Sequence, residues 1–322
     1  MTLETLLAKL PESDYRPSAR DLVGLSAIDA AAQRRFLEVW RALSIQRRRD
    51  LIDRLVDLAE DNVEYDFNSV FMAGLLDDDV QVRTESIKAL WDYEEPDLAR
   101  VLLRLLKDPE AMVRAESALG LGRYLLRAEL LEREIGVIPE IETALRAVAN
   151  DELELPEVRG RAIEALGVRG HQWVRDLIED AYASGERRLQ ISAVHAMGRN
   201  ADLDWLPTII EEMHSEDGEM RFEAAVAAGG IADEEAVPEL SLLVSDEDTE
   251  VQEAAIAALG QIGGPSSRAI LEQIAADSTD ERVLEAVSDA MAEADFVEDP
   301  MALRQYLDRA AEDDEEDEGE GY

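Results

Sequence analysis

The chain has 322 residues, with 74 acidic and 32 basic side chains, a formal net charge of −42 and no cysteine. The lack of cysteine excludes disulfides, thiolate zinc sites, iron–sulfur clusters and a thiol nucleophile within this sequence. So strong a negative charge repels nucleic acid and anionic membranes and favours a basic partner, although it also fits solubility or a salty or hot habitat. No apolar run approaches the roughly 20 residues of a membrane span, and no secretory signal opens the sequence. We therefore expect a cytoplasmic protein.

Residues 1–62 predict an N-terminal helical cap. A short helix is expected within residues 1–10, followed by two amphipathic helices, one capped by Ser26 and one by Ser44. The apolar residues of the first amphipathic helix share one face: Ile28, Ala32, Phe36, Trp40 and Leu43. The same region carries a basic patch of arginines: Arg34, Arg35, Arg41, Arg47, Arg48 and Arg49. This patch is either a solvated helix face or a receptor for an acidic tail in head-to-tail association.

Residues 63–295 contain seven ungapped copies of one pattern. The copies begin at Val82, Val113, Val158, Leu189, Met220, Val251 and Val283, which are 31, 45, 31, 31, 31 and 32 residues apart. In each copy the first, fifth and ninth residues lie on one helical stripe, and the fifth is small or modest in size. A turn and a second apolar-periodic stretch precede each copy. The pattern therefore predicts units of helix A, turn and helix B, whose apolar stripes are buried by stacking on neighbouring units.

The tenth position of the pattern is glycine in five copies: Gly122, Gly167, Gly198, Gly229 and Gly260. A glycine there either ends helix B or lets neighbouring helices approach closely.

The second position is most often arginine, as in Arg83, Arg114, Arg159 and Arg221, with Gln190 and Gln252 in two other copies. We expect a structural ladder, in which these side chains bond acids of the turns or backbone carbonyls of an adjacent repeat. The alternative is a row of arginines that reads phosphate, and the negative charge of the chain argues against it.

The arrangement D-x-x-x-V-R-x-x-A-x-x-A-L-G, in units near 31 residues, resembles the short bacterial HEAT-like repeats of the phycobilisome-lyase type. The resemblance covers roughly residues 63–295. It implies an all-α fold, a HEAT- or armadillo-like α-solenoid (superhelix) of stacked antiparallel helix pairs. Such repeats serve many unrelated roles, so the resemblance bears on fold far more than on function.

The sequence contains no recognised catalytic or metal-binding motif. Its three histidines, His171, His195 and His214, do not have the spacing of a metal site. The HEAT-like enzyme deoxyhypusine hydroxylase holds iron through His-Glu dipeptides, whereas here the histidines are followed by Gln172, Ala196 and Ser215. We therefore expect no metal, no cofactor and no enzymatic activity.

Three features depart from the repeat. Trp91 stands at the glycine position, either to plug the junction with the N-terminal cap or to serve as an exposed anchor for a partner. Fourteen extra residues near 123–137 form either a lengthened helix packed on a neighbour or a protruding element. Residues 296–322 are expected to form a terminal half-repeat and a disordered acidic tail.

The favoured functional hypothesis is a scaffold or adaptor that binds a protein or peptide of basic character in a concave groove lined by helices B. The candidate contacts are Trp91, Tyr93, Arg123, Tyr124 and His195. Two alternatives stay open. The resemblance implies a bilin-lyase-like or chaperone role in protein modification, and the acidic surface suggests a nucleic-acid mimic that occupies a basic protein.

Overall fold

The computed structural model describes residues 1–12, 14–93, 95–131 and 136–298. In these residues it contains 18 α-helices and no strand. The helices are α1 (Leu3–Lys9), α2 (Ala19–Leu22), α3 (Ala30–Trp40), α4 (Ile45–Asp61), α5 (Asn68–Gly74), α6 (Val80–Ala89), α7 (Pro96–Leu105), α8 (Ala111–Leu130), α9 (Ile138–Ala149), α10 (Pro156–Leu166), α11 (Gln172–Ala183), α12 (Arg187–Asn200), α13 (Leu206–Glu212), α14 (Gly218–Ile231), α15 (Val237–Leu243), α16 (Thr249–Ile262), α17 (Gly264–Asp277) and α18 (Glu281–Glu298). The predicted all-α class is confirmed.

The chain folds into two compact units, unit 1 (Met1–Leu166) and unit 2 (Gly167–Tyr322). From α3 onward the odd-numbered helices are helices A and the even-numbered ones are helices B. Within each unit, from α6 onward, a helix B packs on the helix A before it and on the neighbouring helices B, whereas helices A touch one another little. The stack is therefore held together mainly along the row of helices B. The terminal half-repeat and acidic tail fall almost wholly outside the described residues.

The predicted apolar stripe is buried in the first six copies. Val113, Val158 and Val251 at the first position and Leu121 and Leu259 at the ninth are fully inaccessible to solvent. The last copy is less buried: Val283 and Met291 of α18 are partly exposed. Among the described residues α18 packs mainly on α16 and α17, so less of its apolar surface is covered than in a helix B with neighbours on both sides.

The repeat glycines lie where two helices B come into contact, and four of the five lie inside a helix. A Cβ atom on Gly122 would lie 2.9 Å from Cβ of Ala165, and one on Gly198 would lie 2.8 Å from Cβ of Ala227. Real Cβ atoms do not approach so closely. Close packing, rather than helix termination, is therefore the reason for glycine at this position.

The predicted arginine ladder is confirmed. Arg221 donates from Nε and Nη2 to the carboxylate of Asp246, at 2.8 Å each, and from Nη1 to the carbonyl of Ser215 at 2.9 Å. The guanidinium lowers the pKa of Asp246, so the carboxylate stays charged in the fold. Arg83 makes the same pair of contacts, to the carbonyl of Asp77 at 2.7 Å and to Asp108 at 2.8 Å. Arg83 and Arg221 each join the turn of their own repeat to the turn of the next repeat, whereas Arg159 donates to the carbonyl of Ala149 in its own repeat, at 3.0 Å.

The helix-start prediction for α3 is wrong. Asp29, not Ser26, caps this helix, since its carboxylate accepts from the amide of Ala32 at 2.7 Å. Ser26 lies before the helix and accepts from the amide of Asp66 at 3.0 Å. Ala27, the residue after Ser26, has a positive φ of 50°, which is not a helical conformation, so the helix begins after it. The cap at Ser44 is confirmed.

We predict that Arg221→Ala destabilises the protein by roughly 2–4 kcal/mol, because it leaves the buried carboxylate of Asp246 without its cation. Urea unfolding measures the change. Arg282→Ala is the matched control, since its ion pair with Asp280 is exposed and should contribute less than about 1 kcal/mol. Equal losses for the two variants would contradict a stabilising ladder.

We predict that Gly198→Ala lowers the free energy of unfolding by about 1–3 kcal/mol, because the added methyl group forces α12 and α14 apart. Gly170→Ala is the control, since a Cβ there meets no atom within 4 Å. Thermal unfolding of both variants tests the prediction. A Gly198→Ala protein as stable as the control would show that the helices can separate without cost.

Candidate partner-binding surface

Trp91 stands at the glycine position of the pattern. It does not lie in the close contact between helices B that glycine makes in other copies. Helix α6 ends at Ala89, and Leu90 adopts a C-terminal conformation with φ −90° and ψ 28°. The chain has therefore left the helix before it reaches the glycine position. As a result the side chain of Trp91 is 69% exposed, and the interpretation of Trp91 as a buried plug is wrong. Its role as a contact for a partner stays a prediction.

The 14 extra residues lengthen α8. This helix has 20 residues, whereas α6 has 10 and α12 has 14. The added turns bury Tyr124, Leu125 and Ala128 against the unit and leave Leu126 and Leu130 exposed. The structure thus shows a lengthened helix over residues 123–130, packed through Tyr124, Leu125 and Ala128. Residues 132–135 of the insertion lie outside the described part of the chain.

The extension of α8 holds the segment that carries Trp91. Arg123 donates from Nη1 to the carbonyl of Leu90 at 2.7 Å, and the hydroxyl of Tyr124 donates to the carbonyl of Glu95 at 2.9 Å. The amide of Tyr93 donates to the same Leu90 carbonyl at 3.2 Å. The two departures from the repeat are therefore joined: the insertion fixes both ends of the segment on which Trp91 lies.

Four of the five predicted contacts belong to unit 1: Trp91, Tyr93, Arg123 and Tyr124. Of these, Tyr124 cannot contact a partner. Its side chain is 2% exposed, so only its hydroxyl reaches the 90–95 segment. Tyr124 is a positioning residue. Tyr93 is partly buried, and burial together with the carboxylates of Asp97 and Glu95 raises the pKa of its phenol, so the side chain stays neutral.

His195, the fifth predicted contact, belongs to unit 2. Its Nδ1 atom lies 2.9 Å from a carboxylate oxygen of Glu223 on the next helix B. The ring is partly exposed, with 27% of its side-chain surface accessible. Its role as a partner contact stays a prediction.

The basic patch is largely engaged inside unit 1. Arg48 donates to Asp77 at 2.6 Å, and Arg47 donates at 2.6 Å to each of the carbonyls of Glu12 and Tyr15. Arg49 bonds Asp79, and Arg35 pairs with Glu4 at 2.8 Å. Arg34 and Arg41 are exposed. Arg48 and Arg49 thus extend the arginine ladder into α4, and a role of the patch as a receptor for an acidic tail stays a prediction.

Among the described residues no group of three or more His, Cys, Asp or Glu side chains is arranged to hold a metal ion. His171 stacks on Trp173 with ring centroids 6.1 Å apart, and His214 lies 3.0 Å from Glu239. In the same part of the chain no helix is both long enough and apolar enough to cross a membrane.

Leu126 and Leu130 are exposed apolar residues that are not among the contacts predicted from the sequence. The signal was present, because Leu119, Arg123, Leu126 and Leu130 recur at intervals of four, three and four residues. That spacing places them on one face of a continuous helix.

We predict that Tyr124→Phe loosens residues 90–95 while costing only about 1 kcal/mol of global stability, since it removes one hydrogen bond and keeps the buried ring. Hydrogen exchange measured by mass spectrometry should show faster exchange in that segment. Tyr182→Phe, which removes a tyrosine hydrogen bond to Glu212 in unit 2, is the control and should leave the segment unchanged. Unaltered exchange in Tyr124→Phe would mean that the α8 extension does not hold Trp91.

Comparison with known proteins identifies the fold. Residues 206–292 match the family model for HEAT repeats. Yeast importin-β (Kap95p) is 14% identical with a TM-score of 0.50, over 91% of this chain and 46% of that one. The CpcE–CpcF complex of phycocyanin lyase from Nostoc is 17% identical, with a TM-score of 0.47, over 87% and 97% of the two chains. Human deoxyhypusine hydroxylase is 18% identical, with a TM-score of 0.32, over 71% and 96%.

No curated protein matches the chain significantly in sequence. At these identities the structural likeness concerns fold alone. Residues 206–292 therefore consist of HEAT repeats, and the chain has the all-α architecture of a HEAT-repeat solenoid.

Proposed function

We propose that the chain is a non-enzymatic scaffold or adaptor that binds a protein or peptide of basic character on the exposed face of its helices B. The observation that supports this most is the exposure of Trp91. A tryptophan that is 69% exposed buries little apolar surface of its own, so its contribution to folding is small. Tryptophan on a rigid support is the type of residue that most often anchors a protein interface.

The segment around Trp91 favours a basic partner. Asp92, Glu95 and Asp97 are exposed beside it, within a chain that carries a net charge of −42. Complementary charge at the rim of an interface speeds association and selects partners, and salt screens it. Binding should therefore weaken as the salt concentration rises.

Helices B are the natural platform because their close packing makes a continuous row within each unit. Bonds between neighbouring helices, such as that from His195 to Glu223, fix exposed side chains across this row. Side chains held in place lose little conformational entropy on binding, so more of the contact energy appears as affinity. We propose Trp91, Tyr93 and Arg123 as contacts on unit 1 and, separately, His195 as a contact on unit 2.

The test is capture of proteins from the native host by the immobilised chain, followed by mass spectrometry. We expect Trp91→Ala to lower the affinity for a captured protein by about 30-fold, the usual effect of losing an interface anchor. Leu242→Ala is the matched control, since Leu242 is 63% exposed on a helix A. The proposal fails if wild-type protein and Trp91→Ala retain the same partners equally well.

A further inference from the structure

Helix α8 has an apolar stripe on the side that faces away from its own unit. Leu126 is 39% exposed and Leu130 is 74% exposed, while Leu119 and Arg123 on the same stripe are partly buried. The other side of the helix buries Leu121 and Leu125 completely. The extension of α8 therefore carries apolar residues on two faces, of which the described residues of the unit cover one.

The spacing of the stripe is that of a helix-pairing seam. Leu119, Arg123, Leu126 and Leu130 follow one another at four, three and four residues, which is the spacing of the a and d positions of a heptad. The corresponding repeat positions are His195 and Arg199 in α12. The leucine seam is thus a property of α8 rather than of the repeat.

Arg123 does not place its charge in the seam. Its guanidinium donates to the carbonyls of Leu90 and Gly120, at 2.7 Å and 3.3 Å, and so lies against its own unit. The residue after Leu90 is Trp91. The seam and Trp91 are therefore close to each other, because Arg123 of the seam bonds the residue before Trp91.

We propose that this α8 seam (Leu119, Arg123, Leu126 and Leu130, with Trp91 beside it) is the docking site for an amphipathic α-helix of a partner protein, with basic residues on the polar side of that helix. The inference rests on the proposed function and names the kind of partner. The seam spans residues 119–130, about 16 Å along the helix axis, enough for three turns of a helix that lays its own apolar ridge against it.

The negative charge of the chain favours a basic helix over a second copy of this chain as the occupant of the seam. The carboxylates of Asp92, Glu95 and Asp97, close to Trp91 in the chain, are exposed, whereas the α8 extension carries the opposite charges of Arg127 and Glu129. A basic helix is attracted to these exposed carboxylates, whereas two copies that each carry a charge of −42 repel one another. The occupant that fits both the leucines and the charge is a basic amphipathic helix.

The experiment uses a fluorescein-labelled peptide of leucine and lysine, about 18 residues or five turns long, that forms an amphipathic helix. A shuffled peptide of the same composition, without helical spacing of its leucines, controls for charge. Fluorescence anisotropy is measured with the full chain at about 0.3 M salt, where the Debye length is below about 8 Å. We expect the amphipathic peptide to bind at least about tenfold more tightly than the shuffled one.

The double variant Leu126→Asp/Leu130→Asp should weaken binding of the amphipathic peptide by at least about tenfold. The added carboxylates would strengthen a purely electrostatic attraction, so a loss of affinity reports the apolar contact. Leu203→Asp/Leu242→Asp, at residues that are 58% and 63% exposed, is the control with the same change in charge and should bind like wild type. Circular dichroism and unfolding midpoints confirm that both variants are folded.

Equal binding by the two double variants would overturn the inference, as would equal affinity for the two peptides. It is also overturned if sedimentation equilibrium shows self-association of the wild-type chain that Leu126→Asp/Leu130→Asp abolishes, since the seam would then pair two copies. If the peptide does not bind but a native partner still depends on Trp91, the inference fails and the proposed function stands. If the peptide binds at the seam but no captured protein depends on Trp91, the proposed anchor is at fault instead.

Discussion

Adjacent helices B pack so closely that glycine on one lies against the backbone of alanine on the next. A methyl group on Gly260 would lie 2.7 Å from Cα of Ala290, which leaves no room for any side chain. This approach requires small residues at fixed intervals. It also brings successive turns near enough for the arginine of one repeat to reach the carboxylate of the next repeat, as Arg221 reaches Asp246. The repeat length and the arginine ladder both depend on this close approach of helices B.

The proposed binding surface lies where that constraint is released. Helix α6 ends before it reaches the glycine position, so Trp91 points outward instead of colliding with a neighbour. The extension of α8 then holds the segment that carries Trp91, through hydrogen bonds from Arg123 and Tyr124.

Much of the fold could be predicted from the sequence, because close helix packing leaves a periodic trace. Valine, small residue and glycine recur at constant spacing, and Arg83 and Arg221 make the ladder contacts that their positions suggested. The candidate site was harder to predict, since it depends on where a helix stops. Nothing local to Trp91 shows that α6 ends at Ala89, and the burial of Tyr124 depends on a segment 29 residues earlier in the chain.

Hydroxyl-radical footprinting of the purified chain tests the central claim most directly, because it reports the exposure of each tryptophan in solution. The account predicts that Trp91 is oxidised much faster than Trp40 and Trp205, which are 3% and 6% exposed. It also predicts that Leu130 is modified faster than Leu125, which is fully buried one turn earlier on α8. Oxidation of Trp91 at the slow rate of Trp40 would show that the tryptophan packs inside the stack and would contradict the account.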